Sequence, residues 1–271
     1  MRKNAIIMCC YVCVAAAFGG FFRWIQTLTA FEADTGLIIP GSIWSKLMAL
    51  LCVVAVLGIL AWVLKLRKQE YYPARTCEVV YRGTTPLPPY IYTVFALVMA
   101  VGGVILFVTS KFRAYQTLIR LLAFFAVLSA GSFYYVASSP YKQREVGMQC
   151  LSAAVLTLTG CFWMILSYKI NSTTPSVWRY SIEILALAAD TIAFYYLAGY
   201  AFGKPKPYRS MFFAFTGAFF SLVAMADERM LGMQVILGAV AVMLMYSGWM
   251  TIASMRVGKP IKAEPQTETE E

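Results

Sequence analysis

The chain has 271 residues, of which 60% are hydrophobic and 13% are charged, and its formal net charge is +10 at pH 7. A soluble domain is nearer half apolar and a quarter charged, so this composition excludes an ordinary soluble fold. The chain has no histidine, which excludes histidine-ligated haem, HExxH zinc proteases and most general-base chemistry that depends on histidine.

The apolar residues fall in blocks of about 20, the length a helix needs to cross roughly 30 Å of hydrocarbon. Water cannot satisfy backbone amides there, so each block is predicted to be a helix rather than a barrel strand. The predicted helices cover residues 5–22, 43–64, 90–110, 117–137, 147–168, 180–202, 208–226 and 230–255. We therefore expect an all-α polytopic bundle of about eight transmembrane helices within 1–257, and a disordered polar tail at 258–271.

The first predicted helix, Ala5–Phe22, shares features with a signal peptide. Arg2 and Lys3 precede it, and the small residues Ala15–Ala17 resemble a cleavage site. The apolar run continues past that site to Phe22, which favours an uncleaved helix. Cleavage would instead leave seven helices with the N-terminus outside.

The basic residues predict the orientation of the bundle. The larger share of the 23 Lys and Arg residues lies beside loops on the side of the N-terminus, which predicts that both termini are cytoplasmic. This distribution explains the positive charge without nucleic acid, and no RNA-reading motif accompanies it. The expected surroundings are a lipid bilayer, and the expected location is a plasma membrane.

Two connecting segments are long enough to serve as contact surfaces for other molecules. They are residues 23–42 outside and residues 65–89 in the cytosol. The stretch Thr29–Gly41, with the sequence TAFEADTGLIIPG, resembles a segment of uncharacterised multi-pass membrane proteins of clostridia-type bacteria. The resemblance covers little of the chain. It implies a bacterial plasma membrane and assigns no activity and no site residue.

Acidic residues inside an apolar helix are the strongest candidates for function. Asp190 lies near the middle of the sixth predicted helix, where a bare charge costs at least roughly 2.5 kcal/mol. Glu183 lies two turns earlier, where Arg179 is its expected partner, and Arg120 in the fourth helix is a further cation. Small residues beside Asp190 predict that the sixth helix is central to the bundle.

These three residues have two interpretations. In the first, Asp190, Glu183 and Arg120 line a polar path or binding cavity, and Asp190 binds a cation or carries a proton. In the second, Asp190 is a protonated or hydrogen-bonded link between helices, and the other two are interface residues. The second is preferred for Glu183 and Arg120, and both remain open for Asp190. Asp227 and Glu228, in a tight turn, are predicted to be solvated or to cap helix ends.

The remaining motifs point to no catalytic, cofactor or metal site. Cys10 and Cys13 form a CxxC, but they lie within an apolar helix and are better explained as small helix residues. There is no P-loop and no GxSxG, so an enzyme is the least supported class.

The favoured function is a small-solute permease or transport component. The alternative is a membrane-embedded sensor, scaffold or partner subunit that contacts proteins through residues 65–89. The sequence predicts no cofactor and does not define an oligomeric state.

Overall fold

The computed structural model describes residues 2–32, 37–68, 71–72, 80, 90–111, 115–138, 145–172 and 176–257. Within these ranges the chain forms eight long helices, which confirms the predicted all-α bundle. They are α1 (Arg2–Thr29), α2 (Ile43–Lys68), α3 (Tyr90–Thr109), α4 (Gln116–Ala137), α5 (Val146–Asn171), α6 (Ser181–Ala201), α7 (Pro207–Ala224) and α8 (Leu231–Ala253). A 3₁₀ turn at Val177–Arg179 precedes α6. The predicted tail at 258–271 lies outside the described residues.

The helices lie where the apolar blocks predict them, but α1 and α2 extend further. α1 continues to Thr29, so Arg23 belongs to this helix and not to the predicted outside loop. α2 continues to Lys68, which adds the first residues of the predicted cytosolic loop to the helix. Hydropathy alone places these ends too early. Polar residues can prolong a membrane helix when other parts of the protein satisfy them.

Seven of the eight described helices are long and apolar enough to cross a membrane, and α7 is the exception. The first turn of α7 contains Pro207, Tyr208, Arg209 and Ser210, which lower its mean hydropathy. α7 packs against α1, α2, α6 and α8. Because neighbouring helices cover it, α7 needs less apolar surface than a helix that faces lipid.

A short strand pair indicates that α7 crosses with the others. Strand β1 (Tyr71–Tyr72) follows α2, strand β2 (Arg256–Val257) follows α8, and the two pair antiparallel. The ends of α2 and α8 therefore lie at the same face of the bundle. Between them the described chain passes through six long helices, α3 to α8, and only an even number of crossings returns it to that face.

Six of the helices form a closed ring. Each helix from α3 to α8 packs against the next in sequence, and α8 packs back against α3. At this closing contact a Cβ on Gly232 would overlap the backbone of Leu106, so only glycine permits the close approach of α8 to α3. α1 and α2 pack against each other and lie outside the ring, against α7 and α8.

Burial follows this arrangement. In the most apolar 18-residue stretch of each helix, 61% of the residues of α6 and 67% of those of α8 are buried. The corresponding shares are 28% for α1 and 22% for α2. The buried position of α6 agrees with the prediction that this helix is central to the bundle. The remaining apolar surface of α1 to α3 is available to lipid, as expected of a membrane-spanning bundle.

Candidate functional site

A small cavity lies at the centre of the helix ring, and we call it the ring cavity. Its volume is about 30 Å³, and helices α3, α4, α5, α6 and α8 contribute to its wall. Most of its lining is aliphatic or aromatic. The lining residues with polar side-chain groups are Ser129, Thr159, Trp163 and Asp190.

Asp190 is the only acidic or basic residue that lines the ring cavity, and its side chain is almost fully buried, with 4% exposure. The Ser221 hydroxyl on α7 donates a hydrogen bond of 2.6 Å to Asp190 Oδ2. Asp190 Oδ1 has no hydrogen-bond partner among the described residues. Within the same part of the chain no Lys or Arg lies within ion-pair distance of this carboxyl. In the described part of the chain, one helix-to-helix hydrogen bond therefore holds the group and no counter-ion pairs with it.

The contact between α6 and α7 is shaped around this carboxyl. Gly217 on α7 faces Asp190, and a Cβ at that position would overlap Oδ1. The same Cβ would lie 3.0 Å from a methyl group of Leu244 on α8. Glycine at 217 therefore makes the space that Asp190 occupies, and Ser221 one turn further along α7 fixes the orientation of the carboxyl.

A second polar group, which we call the charge cluster, lies at one end of the bundle. Arg23 Nε donates to Asp227 Oδ1 at 2.6 Å, and Arg229 pairs with Asp227 Oδ2 at 2.9 Å and with Glu183 Oε2 at 2.6 Å. The four side chains are between 1% and 9% exposed. Two arginines and two carboxylates give a formal charge of zero, so the pairing limits the large cost of burying ions.

The charge cluster joins parts of the chain that are far apart in sequence. Besides Asp227, the Arg23 guanidinium donates to the Gln26 side chain and to the carbonyl oxygens of Trp178 and Arg179. The Gln26 amide in turn donates to Ser45 on α2. The network therefore connects α1, α2, the turn before α6, α6 itself and the turn between α7 and α8.

The structure places the three sequence-predicted site residues in three different surroundings. Asp190 lines the ring cavity, and Glu183 belongs to the charge cluster, where its partner is Arg229 and not the expected Arg179. Arg120 lies over the ring of Phe107 on α3, at 5.2 Å, beside the Gln116 amide, whose oxygen accepts from the guanidinium when the amide is flipped. Among the described residues Arg120 makes no ion pair with either acid. Asp190 and Glu183 share α6 about two turns apart, roughly 10.5 Å along the axis.

The sequence did not identify Arg23, Asp227 and Arg229 of the charge cluster, or Ser129, Trp163 and Ser221 around Asp190. The sequence predicts Arg23 in the outside loop and Asp227 in a solvated turn, but Arg23 is 1% and Asp227 is 7% exposed, whereas Glu228 is exposed. One signal was present in the sequence. Arg23 and Gln26 are spaced i and i+3, so a helix continued through them would place both on one face.

The chain has no counterpart in the three comparisons with known proteins. No family model matches it, no curated protein matches it, and no solved structure matches it.

Proposed function

We propose that this protein is a small-solute permease of a bacterial plasma membrane, and that transport is coupled to the protonation of Asp190. The observation that carries the proposal is the buried Asp190 carboxyl, which lies on a cavity at the centre of a helix ring and, among the described residues, has one oxygen without a partner and no counter-ion. Ionisable groups inside a membrane protein are costly, and such groups commonly serve ion or proton movement.

A proton is the coupling ion that suits this carboxyl best. Because no described arginine or lysine pairs with it, an ionised Asp190 would carry an uncompensated charge in an apolar wall. Protonation removes that charge without any other ligand. Gain or loss of one proton then changes the charge at the centre of the ring by one unit, and this biases the packing of α6 against α7 and α8.

The charge cluster supports a closed conformation in this proposal. It lies about two turns of α6 from Asp190 and ties α1, α6 and the α7–α8 turn together at one end of the bundle. The ring cavity, at about 30 Å³, has room for one or two water molecules only. A solute therefore enters only when the ring helices separate, which is the behaviour of an occluded transporter.

The test uses purified protein in proteoliposomes that contain a pH-sensitive dye. Small amino acids, sugars and organic acids are added one at a time, and proton entry is recorded with each. We expect at least one solute to drive proton entry in the wild type, and the Asp190→Asn variant to abolish it. Glu228→Gln is the matched control, because it makes the same change of acid to amide at an exposed position.

Two results would count against the proposal. One is wild-type protein that moves neither a solute nor protons across the panel. The other is an Asp190→Asn variant that transports as the wild type does.

The second candidate is a membrane-embedded partner or scaffold subunit that uses the 65–89 segment. The supporting observation is the pairing of Tyr71–Tyr72 with Arg256–Val257, which joins the start of that segment to the end of α8. Residues 73–79 and 81–89 lie outside the described part of the chain. Normal transport after deletion of 73–89, but loss of an associated membrane protein, would favour this second function.

A further inference from the structure

Two buried polar groups without partners meet at the ring cavity. Asp190 Oδ1 is a hydrogen-bond acceptor, and Trp163 Nε1 on α5 is a donor. Neither atom has a hydrogen-bond partner among the described residues, and both side chains line the ring cavity with only 4% exposure. Leaving each such group unpaired costs about 1–3 kcal/mol, so the pair of atoms points to a ligand that accepts from one and donates to the other.

Ser129 is a third polar group at the cavity, and its oxygen can accept a further hydrogen bond. The Thr159 hydroxyl donates to the carbonyl of Val155 at 2.9 Å, so its single proton is used. Ser129 Oγ lies 2.6 Å from Thr159 Oγ1 and is therefore the donor in that contact. Both protons of the hydroxyl pair are committed, and Ser129 Oγ keeps lone pairs as an acceptor at the wall of the cavity.

We infer that the ring cavity is a binding site for one ordered water molecule held by Trp163, Asp190 and Ser129. The water accepts from Trp163 Nε1–H and donates to Asp190 Oδ1 and to Ser129 Oγ. Three hydrogen bonds are the usual number for a buried water, and a cavity of about 30 Å³ exceeds the 10–15 Å³ that one needs. The lining residues otherwise offer apolar surface, which confines the molecule to these partners.

A metal cation fits this site less well than water. Trp163, which lines the cavity, offers a hydrogen-bond donor, and the positive end of an N–H dipole disfavours a cation beside it. The lining side chains supply one carboxylate and two hydroxyl oxygens, those of Asp190, Ser129 and Thr159. Hard cations such as Ca²⁺ take six to eight oxygen ligands, which this cavity does not provide.

The water gives Asp190 a partner in both of its charge states, and this role rests on the proposed function. When the carboxyl is ionised, the water donates to Oδ1. When the carboxyl is protonated, the water turns and accepts from the Oδ1–H while it still donates to Ser129. No other titratable side chain lines the cavity from α3, α4, α5 or α8, and α7 faces Asp190 with Gly217 and Ser221.

The test is infrared difference spectroscopy of the whole protein in lipid nanodiscs between low and high pH, recorded in H₂¹⁶O and in H₂¹⁸O. We expect an O–H stretching band that shifts with ¹⁸O and changes together with a carboxylic acid C=O band. Asp190→Asn should remove the C=O band, and Trp163→Phe should shift or remove the water band.

Trp62→Phe is the matched control, because Trp62 Nε1 on α2 is also buried without a partner but does not line the ring cavity. The water band should persist in that variant. Wild-type spectra without an ¹⁸O-sensitive band would overturn the inference with no need of any variant, and so would a band that neither Asp190→Asn nor Trp163→Phe alters. If the band behaves as expected while transport is unaffected by Asp190→Asn, the water site stands and the proposed function fails.

Discussion

The geometry around Asp190 depends on two residues of α7. Ser221 donates to one carboxyl oxygen, and Gly217 leaves room for the other. A hydroxyl one turn from a glycine on the same helix face can stabilise a buried carboxyl without a charged partner. The carboxyl is therefore positioned by the space that Gly217 leaves and by one hydrogen bond from Ser221.

At this scale we predict that Gly217→Ala destabilises the protein. The added methyl group would overlap Asp190 Oδ1 and press on Leu244, and overpacking of this kind typically costs about 1–3 kcal/mol. Thermal unfolding in detergent measures the effect. The control is Gly131→Ala on α4, where a Cβ meets nothing within 4 Å and alanine should gain up to about 1 kcal/mol of helix propensity. Equal melting temperatures for the two variants would contradict the prediction.

At the scale of helices, the charge cluster stabilises contacts that apolar packing alone does not specify. α1 lies outside the ring and is held near its C-terminal end by Arg23, whose partners belong to the turn before α6 and the turn after α7. The Arg23 and Asp227 side chains are buried, so the arrangement of helix ends that pairs them is favoured over arrangements that leave either charge without a partner.

We predict that Arg23→Met loosens α1 from the bundle. Removal of one partner from a buried ion pair typically costs about 3–5 kcal/mol, because the other charge stays buried. Asp227 keeps Arg229 as a second partner, so the loss should fall at the lower end of that range. Thermal unfolding and limited proteolysis near residue 30 report the change.

The double variant Arg23→Met with Asp227→Leu distinguishes the effect of the ion pair from that of the other contacts of Arg23. It removes both charges, and it should recover part of the lost stability. Arg209→Met is a control for the loss of an arginine away from the charge cluster. A single Arg23→Met variant as stable as the wild type would show that the ion pair does not hold α1.

At the scale of the whole molecule, the ring of α3 to α8 encloses the buried carboxyl of Asp190. α1 and α2 cover one side of that ring. The strand pair after α2 and α8 brings these two helix ends to one face. An even number of crossings between these two ends is therefore needed, which the six helices α3 to α8 provide only if the less apolar α7 also crosses.

This arrangement predicts that the connections before and after α7 lie on opposite sides of the membrane. Enzymatic reporters fused after residue 204 and after residue 228 should give opposite topologies, with residue 204 in the cytoplasm and residue 228 outside. The cytoplasmic assignment follows from the distribution of Lys and Arg. Reporters on the same side at both positions would show that α7 does not cross.

The sequence by itself determined the fold class and the positions of the helices, because a helix of about 20 apolar residues is the local solution to the lack of water in a bilayer. It also identified Asp190, since an acid in the middle of an apolar run is visible without any structure. The exact ends of the helices are harder to predict from the sequence, because they depend on partners elsewhere in the chain. Arg23 is an example, since its partner is Asp227.

Only the tertiary structure decided which polar residues meet. Arg23 and Asp227 are separated by 204 positions in the sequence, and Glu183 has Arg229 as its partner although Arg179 lies one turn away. Trp163 and Ser129 join Asp190 at one cavity only because α4, α5 and α6 face the same centre. Helix formation is local, whereas the choice of buried polar partners depends on how the helices pack, and no periodicity along a single helix carries that information.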